Sequence, residues 1–135
     1  MRKHTFTKGE RLCSKRLIDS LFHDGSSFFI YPYRVTFRPA DKQEYPVQVL
    51  FAVPKRRFRH AVQRNVLKRR MREAYRIQKP ELLYPHLESL PFTLTLAIQY
   101  AANELLDYPL LFARMTDVLR RLQHESAQIH MGETH

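Results

Sequence analysis

The hydrophobic period of the chain changes twice between Val47 and Tyr100, and this limits the fold more than any other feature. Residues 47–53 (V-Q-V-L-F-A-V) are nearly all apolar, residues 61–78 repeat at helical spacing, and residues 92–100 (F-T-L-T-L-A-I-Q-Y) alternate. A continuous apolar run is expected of a strand covered on both faces, and alternation of a strand with two distinct faces. The first run is therefore expected as the central strand, stopped by Pro54. The second should turn Phe92, Leu94, Leu96, Ile98 and Tyr100 inward and Thr93, Thr95, Ala97 and Gln99 outward. The helix between them is a crossover in a small α/β sandwich.

The flanking segments complete an α+β order of α-β-β-(β)-α-β-α with a three- or four-stranded sheet. Ser14 is placed to cap a helix over residues 14–24, with Leu17, Ile18, Leu21 and Phe22 on one face and Gly25 expected at positive φ beyond its end. From Phe28 to Arg38 the period is two, with Tyr33, Val35 and Phe37 opposite Arg34, Thr36 and Arg38. A fourth strand has room near residues 26–31, and residues 39–45 read as a hairpin-like connection. Pro80 is expected to end the helical region, and Pro85 and Pro91 leave room for at most one further turn. Asp107 is placed to cap a last helix over residues 108–123, with the stripe Leu111, Met115, Val118 and Leu122. Residues 1–123 are expected as one domain, and residues 124–135 as a flexible tail.

Charge singles out the crossover helix. The chain carries 23 Lys and Arg against 13 Asp and Glu, a net +10. From Lys55 to Lys79 there are eleven basic residues and one acid, Glu73, so the excess is local. At 100° per residue Leu67, Met71, Ala74 and Gln78 share one face, with Tyr75 at its margin. Asn65, Lys68, Arg69, Arg72 and Arg76 share the other. Like charges at i, i+3 and i+4 repel unless an anion accepts them, and five arginines suit bidentate contact with phosphate oxygens. Lys55, Arg56, Arg57, Arg59 and His60 extend this surface into the preceding loop. A helix-turn-helix needs a second helix just upstream, where the strand ending at Pro54 lies. A basic helix on a sandwich suits the shape and phosphates of a structured RNA.

No constellation of catalytic residues stands out. The three glycines are isolated, so no phosphate loop is present. The seven histidines show no metal-ligand spacing and read as solvated or locally hydrogen-bonded. The single cysteine, Cys13, forms no intramolecular disulfide and reads as a small packing residue; a reducing cytoplasm is expected. No apolar run approaches the length that spans a bilayer. From the residues an RNA-binding protein is expected, and two readings that need no enzyme complex stay open: a structural RNA-binding protein of ribosomal type without a role in cleavage, and a protein nuclease.

The string K-R-R-F-R-H-A-V-Q-R-N-V-L-K-R-R-M-R-E-A-Y-R resembles the signature of the protein subunit of bacterial ribonuclease P, A-V-x-R-N-R-x-K-R-x-x-R-E after a basic loop. Ala61, Val62, Arg64, Asn65, Lys68, Arg69, Arg72 and Glu73 match in register. Val66 replaces the second arginine of the Arg-Asn-Arg motif, and Arg59-His60 stands where Gly-Asn is common. Arg11-Leu12, Phe22 and Gly25 extend the resemblance to the first helix. The resemblance implies a left-handed βαβ crossover, where the general rule for such units is right-handed. It also implies an endoribonuclease whose RNA subunit performs Mg²⁺-dependent hydrolysis to mature the 5′ end of precursor tRNA. The protein subunit would bind the 5′ leader and stabilise the catalytic RNA. Arg64, Asn65, Lys68, Arg69 and Arg72 would contact catalytic RNA or substrate, and Phe22 would line the leader cleft. No membrane and no obligate protein partner are implied.

Overall fold

In the computed structural model, which describes residues 5–133, the strand with the most regular alternation becomes one of the two inner strands of the sheet. The strands are β1 (Ser26–Ile30), β2 (Tyr33–Asp41), β3 (Val47–Ala52) and β4 (Phe92–Tyr100), in the order β1-β2-β4-β3. β2 is antiparallel to β1 and to β4, whereas β3 and β4 run parallel. A parallel pair needs a crossover, and α2 (Ala61–Leu82) supplies it, followed by one turn, α3 (Tyr84–Leu87). The remaining helices are α1 (Lys15–Asp24) and α4 (Tyr108–Glu133), with a short 3₁₀ turn at Lys8–Glu10. The sheet is thus four-stranded, the fourth strand being β1.

Two expectations about the sheet are overturned together. β3 is an end strand, not the central one, and residues 39–45 do not close a hairpin, because β2 runs on to Asp41 and β4 lies between β2 and β3. β3 is apolar on both faces because Val47, Val49 and Phe51 pack on the main core and Leu50 on a smaller one, while the N-terminal segment meets its outer edge: Leu12 N–H donates to Val49 C=O at 2.9 Å. Thr93 Oγ1 pins the β2–β3 connection, accepting from the Gln43 amide (2.7 Å) and donating to Tyr45 C=O (2.9 Å).

β4 is buried on both faces. Tyr33, Val35, Phe37, Leu94, Leu96 and Ile98 form the main core with Leu67, Met71, Ala74 and Tyr75 of α2 and Leu111, Met115, Val118 and Leu122 of α4. Thr93, Thr95 and Ala97, expected to face outward, are also buried. The reason is a second, smaller core under α1, where Ala97 meets Leu12 and Leu21 beside Leu17, Ile18 and Leu50. Cys13, expected to pack, is exposed, because it sits between the β-bridged Arg11-Leu12 segment and the Ser14 cap.

Helix ends follow local chemistry at their starts and tertiary packing at their finishes. Ser14 Oγ accepts from the Leu17 amide at 3.3 Å, and Asp107 Oδ1 from the Leu110 amide at 3.2 Å. Gly25 is not left-handed; its φ is −74°. Glycine is needed there for close approach, since a Cβ would lie 2.3 Å from Leu21 O and 3.1 Å from Phe37 O. α2 does not stop at Pro80 but continues to Leu82. A proline inside a helix costs about 3 kcal/mol, and packing around it offsets this: Gln78 donates to Phe112 C=O, and Gln123 to Leu82 C=O. α4 likewise passes Gln123 and runs to Glu133, so residues 124–133 are helical. Ser126 is buried and Ile129 packs on the core, continuing the stripe through a polar residue that hides it from a hydropathy reading.

A buried ion pair fastens the N-terminal segment to α2. The side chains of Glu10 and Lys79 are 3% and 2% exposed. Lys79 Nζ donates to Glu10 Oε1 and to Thr5 C=O; Tyr84 Oη donates to Glu10 at 2.5 Å, and the Thr7 amide at 2.6 Å. Burial works to raise the Glu10 carboxyl, yet the bonds from Lys79, Thr7 and Tyr84 together hold it below the usual range. Burial holds Lys79 below the ordinary lysine value, with Glu10 opposing. The first shift favours an ionised pair and the second opposes it; the donors converging on Glu10 and the acceptors around Lys79 make the ionised pair the folded form. Replacing one partner strands the other charge, so Lys79→Met should cost about 3–5 kcal/mol, and Glu10→Gln/Lys79→Met should recover much of it, read from urea midpoints. A depressed carboxyl adds stability above its unfolded titration range and loses it as pH falls through its folded one. Acidification below the ordinary glutamate range should therefore lower the wild-type midpoint, and Glu10→Gln should lack that component.

Candidate nucleic-acid interface

The loop from Pro54 to His60 is built before any partner arrives. The Arg57 amide donates to Pro54 C=O at 3.1 Å, and Phe58 is buried, its ring 5.8 Å from that of Tyr100. Arg57 donates to Asn103 Oδ1 at 2.9 Å. Arg64, in the first turns of α2, reaches back and donates to the carbonyls of Phe58 and Arg59, both at 2.8 Å. With the backbone so held, Lys55, Arg56, Arg59 and His60 are exposed. The start of α2 has no acidic residue in its first turn, and the His60 side chain makes no capping bond. The positive end of the helix dipole is therefore uncompensated beside the cationic loop.

Along α2 the two faces separate as the projection requires. Leu67, Met71, Ala74, Tyr75 and Gln78 are buried; Asn65 and Arg69 are exposed, while Lys68, Arg72 and Arg76 are partly exposed. The cations of this face differ in availability. Arg76 is paired with Glu73, at 2.5 and 3.0 Å, and the bond from Arg76 holds the Glu73 carboxyl below its usual range. Lys68, Arg69 and Arg72 have no hydrogen bond or ion pair among the described residues. Arg76 is thus joined to the network that neutralises it, whereas the three cations nearer the helix start are left uncompensated. Val66 is half-buried on the flank, so the position without the motif's second arginine lies beside the free face.

The structure also sorts residues that the sequence pattern leaves mixed. Arg64, expected as an RNA contact, spends its guanidinium on the loop carbonyls and acts first as a positioning residue. Arg70 donates to Leu106 C=O at 2.7 Å and anchors the segment before α4. Arg11 lies with Arg72 on a shallow groove that includes Cys13 and Leu50, adding a cation from the N-terminal segment. That placement depends on the β3 bridge and has no signal in spacing. Phe22 is 47% exposed on α1. It does not line the groove of about 190 Å³ beside that helix, whose walls include Arg16, Leu17, Ser20, Arg38 and Thr95.

The family model described as Ribonuclease P matches residues 6–123, spanning the loop, α2 and both cores. The chain belongs to the ribonuclease P protein-component family. The ribonuclease P protein component of Porphyromonas gingivalis W83 is 38% identical over 103 residues, 76% of this chain and 74% of that protein. That of Chlorobium phaeobacteroides is 39% identical over 82 residues, 61% of this chain and 56% of that protein. The fold is shared with the ribonuclease P protein of Staphylococcus aureus (TM-score 0.65, 16% identity, 85% of this chain and 96% of that one). It is also shared with that of Thermotoga maritima (TM-score 0.64, 22% identity, 83% and 96%). Membership of the ribonuclease P family makes this an RNA-binding component of a ribonucleoprotein that processes tRNA.

Among the described residues no group of three or more His, Cys, Asp or Glu side chains is placed to hold a metal ion. His4 and His135 lie outside the described residues. No helix among the described residues is long and apolar enough to cross a membrane.

Two predictions follow from the sorting of the cations. Arg69→Ala and Arg72→Ala should each weaken RNA binding and reduce the slope of log affinity against log salt by about one, with unchanged unfolding midpoints. Arg64→Ala should raise amide hydrogen exchange across residues 54–60 as the loop loses its two carbonyl anchors. Unchanged exchange there would show that the buried Phe58 and the bonds of Arg57 hold the loop without Arg64.

Proposed function

We propose that this chain serves ribonuclease P by binding both the catalytic RNA and the 5′ leader of precursor tRNA, assisting 5′-end maturation. The observation that carries the reading is the uncompensated cationic face of Lys68, Arg69 and Arg72 beside a preorganised basic loop, in a chain of this family. Phosphates are the anions that such a face accepts best, because several guanidinium groups present fixed forks along one line.

In this reading the chain's residues bind and orient, and the hydrolysis belongs to the RNA subunit with its Mg²⁺. Asn65, exposed among the arginines, adds hydrogen bonds to sugar or base edges. The loop residues Lys55, Arg56, Arg59 and His60 continue the phosphate track past the helix start. Phe22 offers an exposed ring to the leader from α1. Neutralising RNA phosphates lowers the repulsion between catalytic RNA and substrate, which otherwise must be screened by added cations. The work takes place in the cytoplasm, where precursor tRNA is met.

The folded chain, added to its cognate catalytic RNA and precursor tRNA at low Mg²⁺, should increase both cleavage rate and substrate affinity. The gain should shrink as Mg²⁺ rises. No gain with folded protein overturns the reading, and binding to ribosomal RNA with precursor cleavage unchanged replaces it with a structural role in the ribosome.

A further inference from the structure

Between the flank of α2 and the start of α4 lies an open hollow of about 270 Å³, lined by Arg69, Arg70, Glu73 and Tyr108. α2 and α4 pack on the main core, whereas α1 packs on the smaller core across the sheet, so the hollow and α1 lie on opposite sides of the molecule. Glu73 follows Arg70 by three positions and Arg69 by four, the spacings at which helical side chains are neighbours. The hollow is below the size of pockets that enclose a whole drug-sized ligand. It suits one flat group whose remaining parts stay outside.

Its walls are fixed and chemically distinct. Arg70 donates to Leu106 C=O at 2.7 Å, which ties the flank of α2 to the segment before α4. Tyr108 lies against Phe112, ring centres 5.9 Å apart, and its hydroxyl is shut off from solvent without a hydrogen-bond partner among the described residues. Tyr108 therefore offers the hollow its ring and not its hydroxyl. Arg76 grips both oxygens of Glu73, at 2.5 and 3.0 Å, and keeps the carboxyl ionised by holding it below its usual range. The Glu73 side chain is still 44% exposed, and each of its oxygens retains a lone pair for a further donor. Such a carboxylate repels phosphates at the border of a face that attracts them. Whatever part of an RNA enters here must bring N–H donors, and in RNA those lie on the base edges.

We propose that Arg69, Arg70, Glu73 and Tyr108 form a pocket for one unpaired guanine of the RNA whose phosphates α2 and its loop hold. This rests on the RNA-binding reading above and adds to it a base-specific contact on the α4 side of the helix. Guanine alone among the four bases presents two adjacent donors, N1–H and N2–H, which match the two oxygens of Glu73. Adenine and cytosine set a ring-nitrogen acceptor against the carboxylate, and uracil flanks its one donor with two carbonyls. The acceptors O6 and N7 of guanine suit an arginine fork, which Arg69, exposed and unpaired, supplies from the neighbouring turn. The ring of Tyr108 gives the base a face to stack on. A guanine inside a duplex has its N1–H and N2–H already bonded, so the base must be unpaired to enter.

The test compares binding of the full-length protein to nine-nucleotide oligouridylates that differ only in a central guanosine, inosine or adenosine. Guanosine should bind about tenfold tighter than adenosine. Inosine, which keeps N1–H and lacks the 2-amino group, should fall between them. Glu73→Gln, a change at a half-exposed side chain, should abolish the preference, because an amide has one acceptor where the carboxylate has two. Tyr108→Phe keeps the ring and should keep the preference, whereas Tyr108→Leu should weaken guanosine binding most. Arg72→Ala, outside the hollow, should weaken all three oligonucleotides alike. Equal binding of the three by wild type overturns the pocket, as does a guanosine preference that survives Glu73→Gln. Guanosine monophosphate binding as tightly as the guanosine oligonucleotide would mark a site for free nucleotide and overturn the assignment to RNA. If wild type binds the three alike while Arg72→Ala binds them weakly, the pocket fails and the RNA-binding reading stands. If the folded wild type binds no RNA, both fall.

Discussion

The parallel pairing of β3 with β4 is the constraint on which the rest of this structure depends. Two parallel neighbours cannot be joined by a tight turn, so the chain must leave the sheet after Ala52, cross its face as α2, and return at Phe92. That crossing makes one side of α2 part of the core through Leu67, Met71 and Ala74, and turns its other side to solvent. It also gathers the loop before α2, the end of β4 and the β1–β2 turn at one end of the sheet. The cationic surface is therefore a consequence of topology as much as of composition.

Charge is used in two opposite ways on the same helix. Near its C-terminal end Lys79 is withdrawn from water and matched by Glu10, Thr5 and the rings of Phe6 and Tyr84, so the N-terminal segment is held against α2. Further up the helix Lys68, Arg69 and Arg72 have no such partners among the described residues, and Arg64, near its start, holds the loop that extends their surface. Buried charge needs its partners within the fold, whereas exposed like charges repel until a polyanion lowers that energy. One end of α2 is thereby committed to the fold and the other is free for binding.

Much of this was legible in the residues. The spacing of Leu67, Met71, Ala74 and Gln78 separates core from cations without any coordinates, and the alternation from Phe92 to Tyr100 marks β4 to the residue. Where the reading failed, the missing information was the identity of a neighbour. The run from Val47 looks central because it is covered, yet what covers its edge is the distant Arg11-Leu12 segment. Thr93 and Thr95 look outward-facing because they are polar, yet α1 and the β2–β3 connection close over them. Pro80 looks like a stop, yet contacts from Phe112 and Gln123 carry α2 past it. Ser126 breaks the hydropathy of a helix that its burial shows to be continuous.

By itself the sequence determined the periods of the elements, their order, the caps at Ser14 and Asp107 and the concentration of charge between Lys55 and Lys79, because each of these is set within a few residues of chain. Tertiary structure alone decided the strand order, the extent of α2 and α4, the coupling of Arg64 to the loop and the pairing of Lys79 with Glu10. Those depend on groups far apart in sequence, and no local pattern encodes which distant surface will bury a residue or supply its hydrogen-bond partner. The hollow beside Tyr108 belongs to the second class: its residues are visible in the chain, but only the packing of α4 on α2 brings Tyr108 beside Arg69 and Glu73.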